Sequence, residues 1–213
     1  MATKTTLRAE IRSRRQARRA DVSNGPAPSV RTAHSPVPVR HRAEAEGLAT
    51  QVRTLASSMG GANLPALFVS TPLEPDMSLA LRLFHRALLP ILLDEAGAPL
   101  SEPRWGLWEA GQALATPGRP PAQPGGPACG AEALADADLI LVPALAAGLD
   151  GARLGQGGGW YDRTLPHRNP AAPVVAVVFD DEVLEAGIIP LEPHDVPVDA
   201  IMTPTRIAWT TAR

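Results

Sequence analysis

An apolar run of buried-strand length, Asp138-Leu139-Ile140-Leu141-Val142-Pro143, is followed closely by Arg153-Leu154-Gly155-Gln156-Gly157-Gly158-Gly159-Trp160-Tyr161-Asp162-Arg163. Residues 160–165 can open a helix, so the order is strand, loop, glycine cluster, helix. Four glycines within five residues, 155–159, free the backbone to adopt positive φ and let a ligand approach the main chain. Their N–H groups can converge on an anion, with a helix N-terminus behind them. Arg153 and Arg163 flank the cluster with positive charge, and Asp162 offers a carboxylate suited to a magnesium ion beside phosphates. The stretch has neither the closing Lys-Ser/Thr of a P-loop nor the spacing of a dinucleotide fingerprint. Taken alone it also reads as a flexible loop without a ligand.

The rest of the chain supplies matching elements. Residues 4–19 have helical spacing, with Leu7 and Ile11 on one face and Arg8, Arg12, Arg15 and Arg19 on another. Arg15, Arg18 and Arg19 read as a solvated basic face. Residues 22–42 carry Pro26, Pro28, Pro36 and Pro38 among Ser, Gly, Arg and His, the composition of a loop or flexible insertion. His34 and His41 in it lack metal-ligand spacing. Residues 44–59 return to a helical pattern through Leu48, Val52, Leu55 and Met59. Leu67–Val69 predicts a short strand, and residues 71–76 a turn. Asp76 or Ser78 then caps a helix containing Leu79, Leu83 and Phe84. Ala87–Asp94 reads as a strand whose Pro90 points to an edge or a bulge. Residues 94–111 suggest a hairpin bearing Trp105 and Trp108, and the Pro/Gly-rich residues 115–130 a loop. Val174–Phe179 is another buried strand, and Ala200–Thr203 is expected to end the sheet. This alternation predicts an α/β fold: a mostly parallel, Rossmann-like sheet flanked by helices, with ligands gathered at the carboxyl ends of its strands.

Composition narrows the class. At 213 residues with 45% apolar content, one domain with a substantial core is the economical expectation. No run approaches the ~18 apolar residues of a membrane span, and the charged N-terminus has no signal-peptide centre. The single cysteine, Cys129, cannot form an internal disulfide, so a cytoplasmic location is expected. Its Pro-Ala-Cys-Gly surroundings supply no base for a catalytic thiol. Residues 1–53 hold 11 basic and 4 acidic side chains, and the remainder 9 basic and 18 acidic, for a net charge of −2. The basic segment suits a small polyanion such as a nucleotide, and the acidic remainder argues against a broad nucleic-acid surface. Lys4 is the only lysine in the chain.

The motif Arg-Leu-Gly-x-Gly-x-Gly-aromatic-Tyr-Asp-Arg after a strand ending in Val-Pro resembles the 5-formyltetrahydrofolate cyclo-ligase family. Lys4-Thr5-Thr6-Leu7-Arg8 is similar to that family's opening Lys-x-x-Leu-Arg. Glu192-Pro193-His194-Asp195-Val196-Pro197-Val198-Asp199, with Thr203-Pro204 after it, is similar to its C-terminal signature. The resemblance implies a NagB/RpiA/CoA transferase-like architecture and an ATP- and magnesium-dependent closure of 5-formyltetrahydrofolate to 5,10-methenyltetrahydrofolate. It implies ATP contacts from Lys4, Thr5, Thr6, Leu7, Arg8 and from Arg153, Leu154, Gly155, Gln156, Gly157, Gly158, Gly159, Trp160 and Tyr161. Arg153, Gly157, Gly159 and Tyr161 would stand at the reacting groups. Gln156 to Trp160 would also approach the folate, together with Val69 and Glu74, and Asp162 and Asp195 would hold Mg2+. The indoles of Trp105 and Trp108 either simply pack on the sheet or offer a face for stacking on the pterin ring.

Three positions depart from the family pattern. Gln156 stands where an aromatic or basic residue is common, Phe68 stands near a position often occupied by tyrosine, and Gly130-Ala131-Glu132-Ala133 replaces a Gly-Ile-x-Glu-Pro stretch. The expected partner is therefore a small-molecule folate, with no nucleic acid and no membrane, on a monomer. Alternatives are a folate- or nucleotide-binding protein of the same fold without catalysis, and, from architecture alone, a sugar-phosphate isomerase that would need no ATP.

Overall fold

A computed structural model of the chain describes residues 3–23, 41–118, 121–193 and 195–212. Its helices are α1 (Lys4–Ser23), α2 (Arg42–Ser58), α3 (Ser78–Leu81) and α4 (Trp160–Thr164). The strands are β1 (Pro65–Ala66), β2 (Arg86–Leu93), β3 (Pro99–Glu109), β4 (Leu114–Ala115), β5 (Gln123–Pro124), β6 (Ala128–Cys129) and β7 (Leu139–Pro143). They continue with β8 (Ala146–Gly148), β9 (Arg153–Leu154), β10 (Val174–Val177), β11 (Val183–Leu184), β12 (Ala200–Met202) and β13 (Ile207–Trp209).

The main sheet has eight strands in the order β13-β12-β10-β7-β1-β2-β3-β6. The five strands from β12 to β2 run parallel, and β3 and β13 are antiparallel to their inner neighbours. The fold is thus α/β with a mostly parallel sheet. Within the parallel part, chain order places the first strand between the second and the third. The winding therefore reverses between β1 and β7, which is where doubly wound sheets open a crevice for a ligand.

Two-sided burial explains the continuous apolar runs. Along β7, Leu139 and Leu141 enter a core with Leu48, Val52, Leu89, Trp108 and Val175 on the α2 side. Ile140 and Val142 enter the opposite core with Trp105, Leu165, Val174 and Ile201. This is the two-residue alternation of a pleated strand. A third, smaller cluster joins Leu7 and Ile11 of α1 to Leu145, Leu154 and Ile189.

Several expectations change. Arg15 is not solvated but buried, 2% exposed. Arg18 is half-buried, with its guanidinium 4.0 Å from the centre of the Phe179 ring, while Arg19 is exposed as expected. Of the 22–42 loop, residues 24–40 lie outside the described residues, α1 runs on to Ser23, and α2 begins at Arg42. The strand expected at Leu67–Val69 pairs two residues earlier, with the Leu67 amide still donating to the Leu88 carbonyl at 2.9 Å. The N-cap of α3 is Met77 and neither Asp76 nor Ser78; Asp76, one residue earlier, accepts from the Ser78 amide at 2.9 Å, and the helix stops at Leu81, before Leu83 and Phe84. Pro90 lies in an inner strand and not an edge, and a register irregularity falls between Ile91 and Leu93. The 115–130 loop contains short paired segments. Gln123 there holds the β2 backbone, accepting from the Leu92 and Leu93 amides and donating to the Leu93 carbonyl. The sheet does not end at residue 203, because β13 returns antiparallel to β12.

Candidate functional site

A cavity of about 480 Å³ opens at the carboxyl ends of β1 and β7. Phe68 and Val69 reach it from the chain leaving β1, and Pro143 from the end of β7. Pro90 and Leu92 of β2, with Pro121 and Ala122, extend this apolar wall. Charged residues come from elsewhere in the chain: Lys4 and Arg8 from the first turns of α1, Arg153 from β9, Asp162 from α4, Glu192 and Asp195 from the turn before β12, and Glu74 from the loop after β1. Residues 155–161 complete the lining. Three sequence blocks separated by nearly the whole chain thus meet in one place.

The glycine loop takes the backbone conformations its composition allows. Gly157 has φ of 101° and Gly159 has φ of 64°, values that side-chain-bearing residues rarely adopt. Gly159 is the N-cap of α4. That helix has five residues before the chain tightens into a single 3-10 turn at Leu165–His167. The strand-loop-helix order predicts help from a helix dipole, but so short a helix contributes little, and positive charge in the site comes from side chains.

Arg153 is buried at 8% exposure and pairs with the Asp162 carboxylate. Among the described residues, its Nε is buried without a hydrogen-bond partner, and so is the Trp160 indole N–H. Both residues line the cavity, so each has a donor without an acceptor beside an open space that an anionic or carbonyl-bearing ligand would fill. Lys4 Nζ donates to Asp195 Oδ2 at 2.7 Å and lies 3.4 Å from Glu192 Oε2. An ammonium has three donors, so these contacts leave capacity for a phosphate oxygen. Glu74 accepts from the Thr71 amide at 2.8 Å, which fixes the loop as it enters the cavity. Burial raises the Tyr161 phenol far above its ordinary value, and the nearby Glu74 charge adds to this against the opposing pull of Arg153. The phenol is therefore a neutral hydrogen-bonding group and not a phenolate.

Of the residues assigned from sequence, the structure brings Lys4, Arg8, Val69, Glu74, Arg153, Gly155 to Tyr161, Asp162 and Asp195 to this cavity. It does not bring Thr5, Thr6, Leu7 or Leu154. The two threonines are exposed on α1, and the two leucines are buried together in the small core beneath it. The tryptophans considered for pterin stacking are both interior. Trp105 is 1% and Trp108 2% exposed, and their ring nitrogens donate to Thr164 Oγ1 and the Gln112 carbonyl. The indole on the cavity is that of Trp160, with Trp105 edge-on to it at 5.0 Å and Tyr161 at 4.8 Å, and Phe68 and Tyr161 are the other aromatic lining residues. Glu132 folds onto Gly130 and does not reach the cavity.

Pro143, Leu92, Pro121 and Ala122 are among the lining residues that sequence reading did not assign. The rule that ligands sit at strand carboxyl ends would have found Pro143. The other three depend on how β5 docks on β2, for which no local signal exists. Among the described residues, no group of three or more His, Cys, Asp or Glu side chains is arranged to hold a metal, and no helix is long and apolar enough to cross a membrane.

The same arrangement recurs in known proteins. An NMR structure of 5,10-methenyltetrahydrofolate synthetase from Aquifex aeolicus superposes with a TM-score of 0.63 at 23% identity, covering 96% of this chain and 93% of that one. The corresponding synthetase from Mycoplasma pneumoniae superposes with a TM-score of 0.58 at 17% identity, over 95% of this chain and 99% of that one. At these identities the likeness is one of fold. In sequence, the chain is 48% identical over 129 residues to a 5-formyltetrahydrofolate cyclo-ligase of Mycolicibacterium smegmatis, a match covering 59% of this chain and 63% of the relative. It is 35% identical over 71 residues to the Escherichia coli K12 protein of that name, covering 33% of this chain and 38% of the relative. The matched segments thus span less than two thirds of these relatives. The sequence model of the family matches residues 1–204, nearly the whole chain. With that match, the chain belongs to the 5-formyltetrahydrofolate cyclo-ligase family.

Proposed function

We propose that the protein converts 5-formyltetrahydrofolate to 5,10-methenyltetrahydrofolate, consuming ATP and releasing ADP and phosphate. The observation that carries this reading is the convergence of Lys4 and Arg8, of Arg153 with residues 155–162, and of Glu192 and Asp195 on one cavity whose other wall is apolar. The chemistry needs both halves. The formyl oxygen is a poor leaving group as hydroxide. Phosphoryl transfer to it makes phosphate the leaving group, after which the neighbouring folate nitrogen attacks the formyl carbon and closes the ring. Catalysis is then largely positioning and charge stabilisation.

Lys4, Arg8 and Arg153 are the cations for the triphosphate, and the loop 155–159 wraps it closely because it carries few side chains. The unpartnered Nε of Arg153 supports this assignment. Phe68, Val69, Pro90, Leu92 and the Trp160 ring offer a surface for the flat heterocycle, and Glu74 a carboxylate for its polar edge. Tyr161, with its proton retained, can donate to charge developing on the formyl oxygen but cannot act as a base.

Magnesium suits the donor set, since this ion commonly takes one or two carboxylates with phosphate oxygens and water. Asp162 and Asp195 would hold it beside the phosphates. Both carboxylates are already paired with cations, Arg153 and Lys4, so the ion would share them. This pairing also favours the second reading, a nucleotide- or folate-binding protein without turnover. A nucleic-acid role has little to work with, because Arg8, Arg12, Arg14, Arg15 and Arg18 of α1 are all engaged within the chain. We take the protein to act as a cytoplasmic monomer.

The decisive experiment mixes the purified protein with 5-formyltetrahydrofolate, with and without magnesium-ATP, and follows the absorbance of the methenyl product. Product formation that depends on both establishes the reading. ATP binding without product would leave the non-catalytic alternative. The metal assignment has its own check: Asp162→Asn and Asp195→Asn should each raise the magnesium concentration needed for half-maximal rate, and unchanged titrations in both would remove it.

A further inference from the structure

The glycine loop is held by its carbonyls. Arg8 Nε donates to the Gly155 carbonyl at 3.0 Å. One helical turn on, Arg12 Nη2 donates to the Gln156 carbonyl at 2.7 Å, and its Nε and Nη2 both reach Gln156 Oε1, at 3.2 and 3.1 Å. From the other side, Arg163 Nη1 donates to the Gly158 carbonyl at 3.1 Å. Three guanidinium groups thus occupy carbonyls of a loop in which Gln156 is the one residue of 155–159 with a side chain to help fix it.

A trans peptide unit points its C=O and N–H in opposite directions. Fixing the carbonyls of Gly155 and Gln156 toward α1 turns the amides of Gln156 and Gly157 away from these arginines, on the same side of the loop. Consecutive amides so aligned form a concave anion site. A free glycine-rich segment would sample many other states, because glycine loses more backbone entropy on ordering than any other residue. Removing partial negative charge from the anion's surroundings also favours its approach.

We propose that Arg12 and Arg163 are positioning residues that preset the glycine loop for a triphosphate. They act through the loop backbone and need not touch the nucleotide. The inference rests on the proposed ATP reading for its ligand, but its structural half stands without one.

Both side chains are exposed, so truncation leaves the core intact. Two measurements on the full chain separate the possibilities. The first is amide hydrogen exchange of residues 156–159 in the ligand-free protein. The second is magnesium-ATP affinity by calorimetry without folate. Arg12→Ala and Arg163→Ala should each accelerate loop exchange by roughly tenfold and weaken ATP binding by about tenfold. Folate affinity should move less than about twofold, and Arg12→Lys, with one donor group in place of a fork, should recover part of both losses. Unchanged exchange in both alanine variants overturns the proposal. Weaker ATP binding with unchanged exchange also overturns it, because the arginines would then act by direct charge. If the unaltered chain binds no magnesium-ATP while the variants still loosen the loop, the failure lies with the proposed function and not with the clamp.

Discussion

Two single residues show how environment, more than identity, sets what a side chain can do here. Glu44 on α2 accepts from the Asp76 amide at 2.6 Å. Burial pushes its carboxyl up to about 7 from 4.5, against the pull of that hydrogen bond and with the neighbouring Asp76 charge adding to the rise. A raised folded-state value means that the folded protein holds this proton more tightly than the unfolded chain. Stability therefore falls as pH rises from about 4.5 through about 7. At 1.36 kcal/mol per unit the full cost is at most about 3 kcal/mol, reduced by solvent near the half-buried group. Glu44→Gln keeps an acceptor for the Asp76 amide and removes the ionisation. Urea titrations should find it more stable than the unaltered protein at pH 8 and nearly equal at pH 4.5. Equal stability at both would mean that Glu44 is not so displaced. Lys4 is the second case. It is the only lysine in a chain that otherwise uses arginine, and Asp195 holds its ammonium at the cavity wall. Losing one charge-assisted bond costs about 1.5–3 kcal/mol, so Lys4→Ala should raise the KM for ATP roughly tenfold or more while the KM for folate moves much less. Lys4→Arg should restore only part, because a planar fork does not reproduce a point charge. Unchanged ATP kinetics in Lys4→Ala would remove α1 from the site.

At the scale of the element, α1 owes its place to Arg15. A terminal helix is ordinarily dispensable, but Arg15 and Glu182 form a two-pronged buried pair, Nε to Oε1 and Nη2 to Oε2, both at 2.7 Å. Arg15 Nη2 also donates to the Ala144 carbonyl at 2.6 Å, next to Pro143 at the cavity. Glu182 in turn accepts from the Phe179 amide, so one ion pair ties α1 to the ends of both β7 and β10. Breaking such a pair by removing one partner costs about 3–5 kcal/mol, because the other charge is left buried and alone. Arg15→Ala and Glu182→Ala should each destabilise the protein by about that much in urea unfolding, and should raise the KM for ATP by loosening Lys4 and Arg8. The double variant Arg15→Met/Glu182→Leu should recover most of the stability. Losses below about 1 kcal/mol in both single variants would show the pair to be as weak as a surface one. The position of Arg15 was half legible in sequence. Sequence reading groups it with Arg8, Arg12 and Arg19 on a face away from Leu7 and Ile11, although it continues the four-residue spacing of those two, because an arginine reads as solvated unless a buried carboxylate awaits it. Glu182 lies 167 residues away, and no local pattern announces it. The inner strands β7 and β10 were legible because residues buried on both faces leave an unbroken apolar run. The two-residue strands β1, β5 and β6 were not, since their pairing is decided by the neighbours they meet. For Trp105 and Trp108 the packing alternative holds and the ligand-face one does not, since sequence places them on a strand without showing what covers them.

For the whole molecule, the site is a meeting of parts that the sheet alone does not hold together. The crevice between β1 and β7 follows from strand order. The cations that would make it a nucleotide site arrive on α1 and β9, and carboxylates arrive beside them on α4 and from Glu192 and Asp195. That much could be foreseen, because three separated motifs with one chemical theme imply one location. The apolar wall from β2 and β5 could not, because it depends on the hydrogen bonds of Gln123 to β2. If a nucleotide bridges the charged parts, its binding energy must appear as added stability of the entire fold. A ligand at a hundred times its dissociation constant contributes about 2.7 kcal/mol. For a chain of this length each kcal/mol shifts the unfolding midpoint by about 2–4 °C. Saturating magnesium-ATP without folate should therefore raise Tm by roughly 5–10 °C, read by calorimetry or near-UV circular dichroism. In Lys4→Ala the same nucleotide concentration reaches only about ten times a tenfold weaker dissociation constant. The shift, measured from that variant's own ligand-free midpoint, should then fall to roughly half. Arg53→Ala, on the exposed face of α2 and off the cavity, should keep the full shift. A nucleotide-induced shift that is the same in Lys4→Ala as in the unaltered chain would mean that ATP, wherever it binds, does not bridge α1 to the sheet.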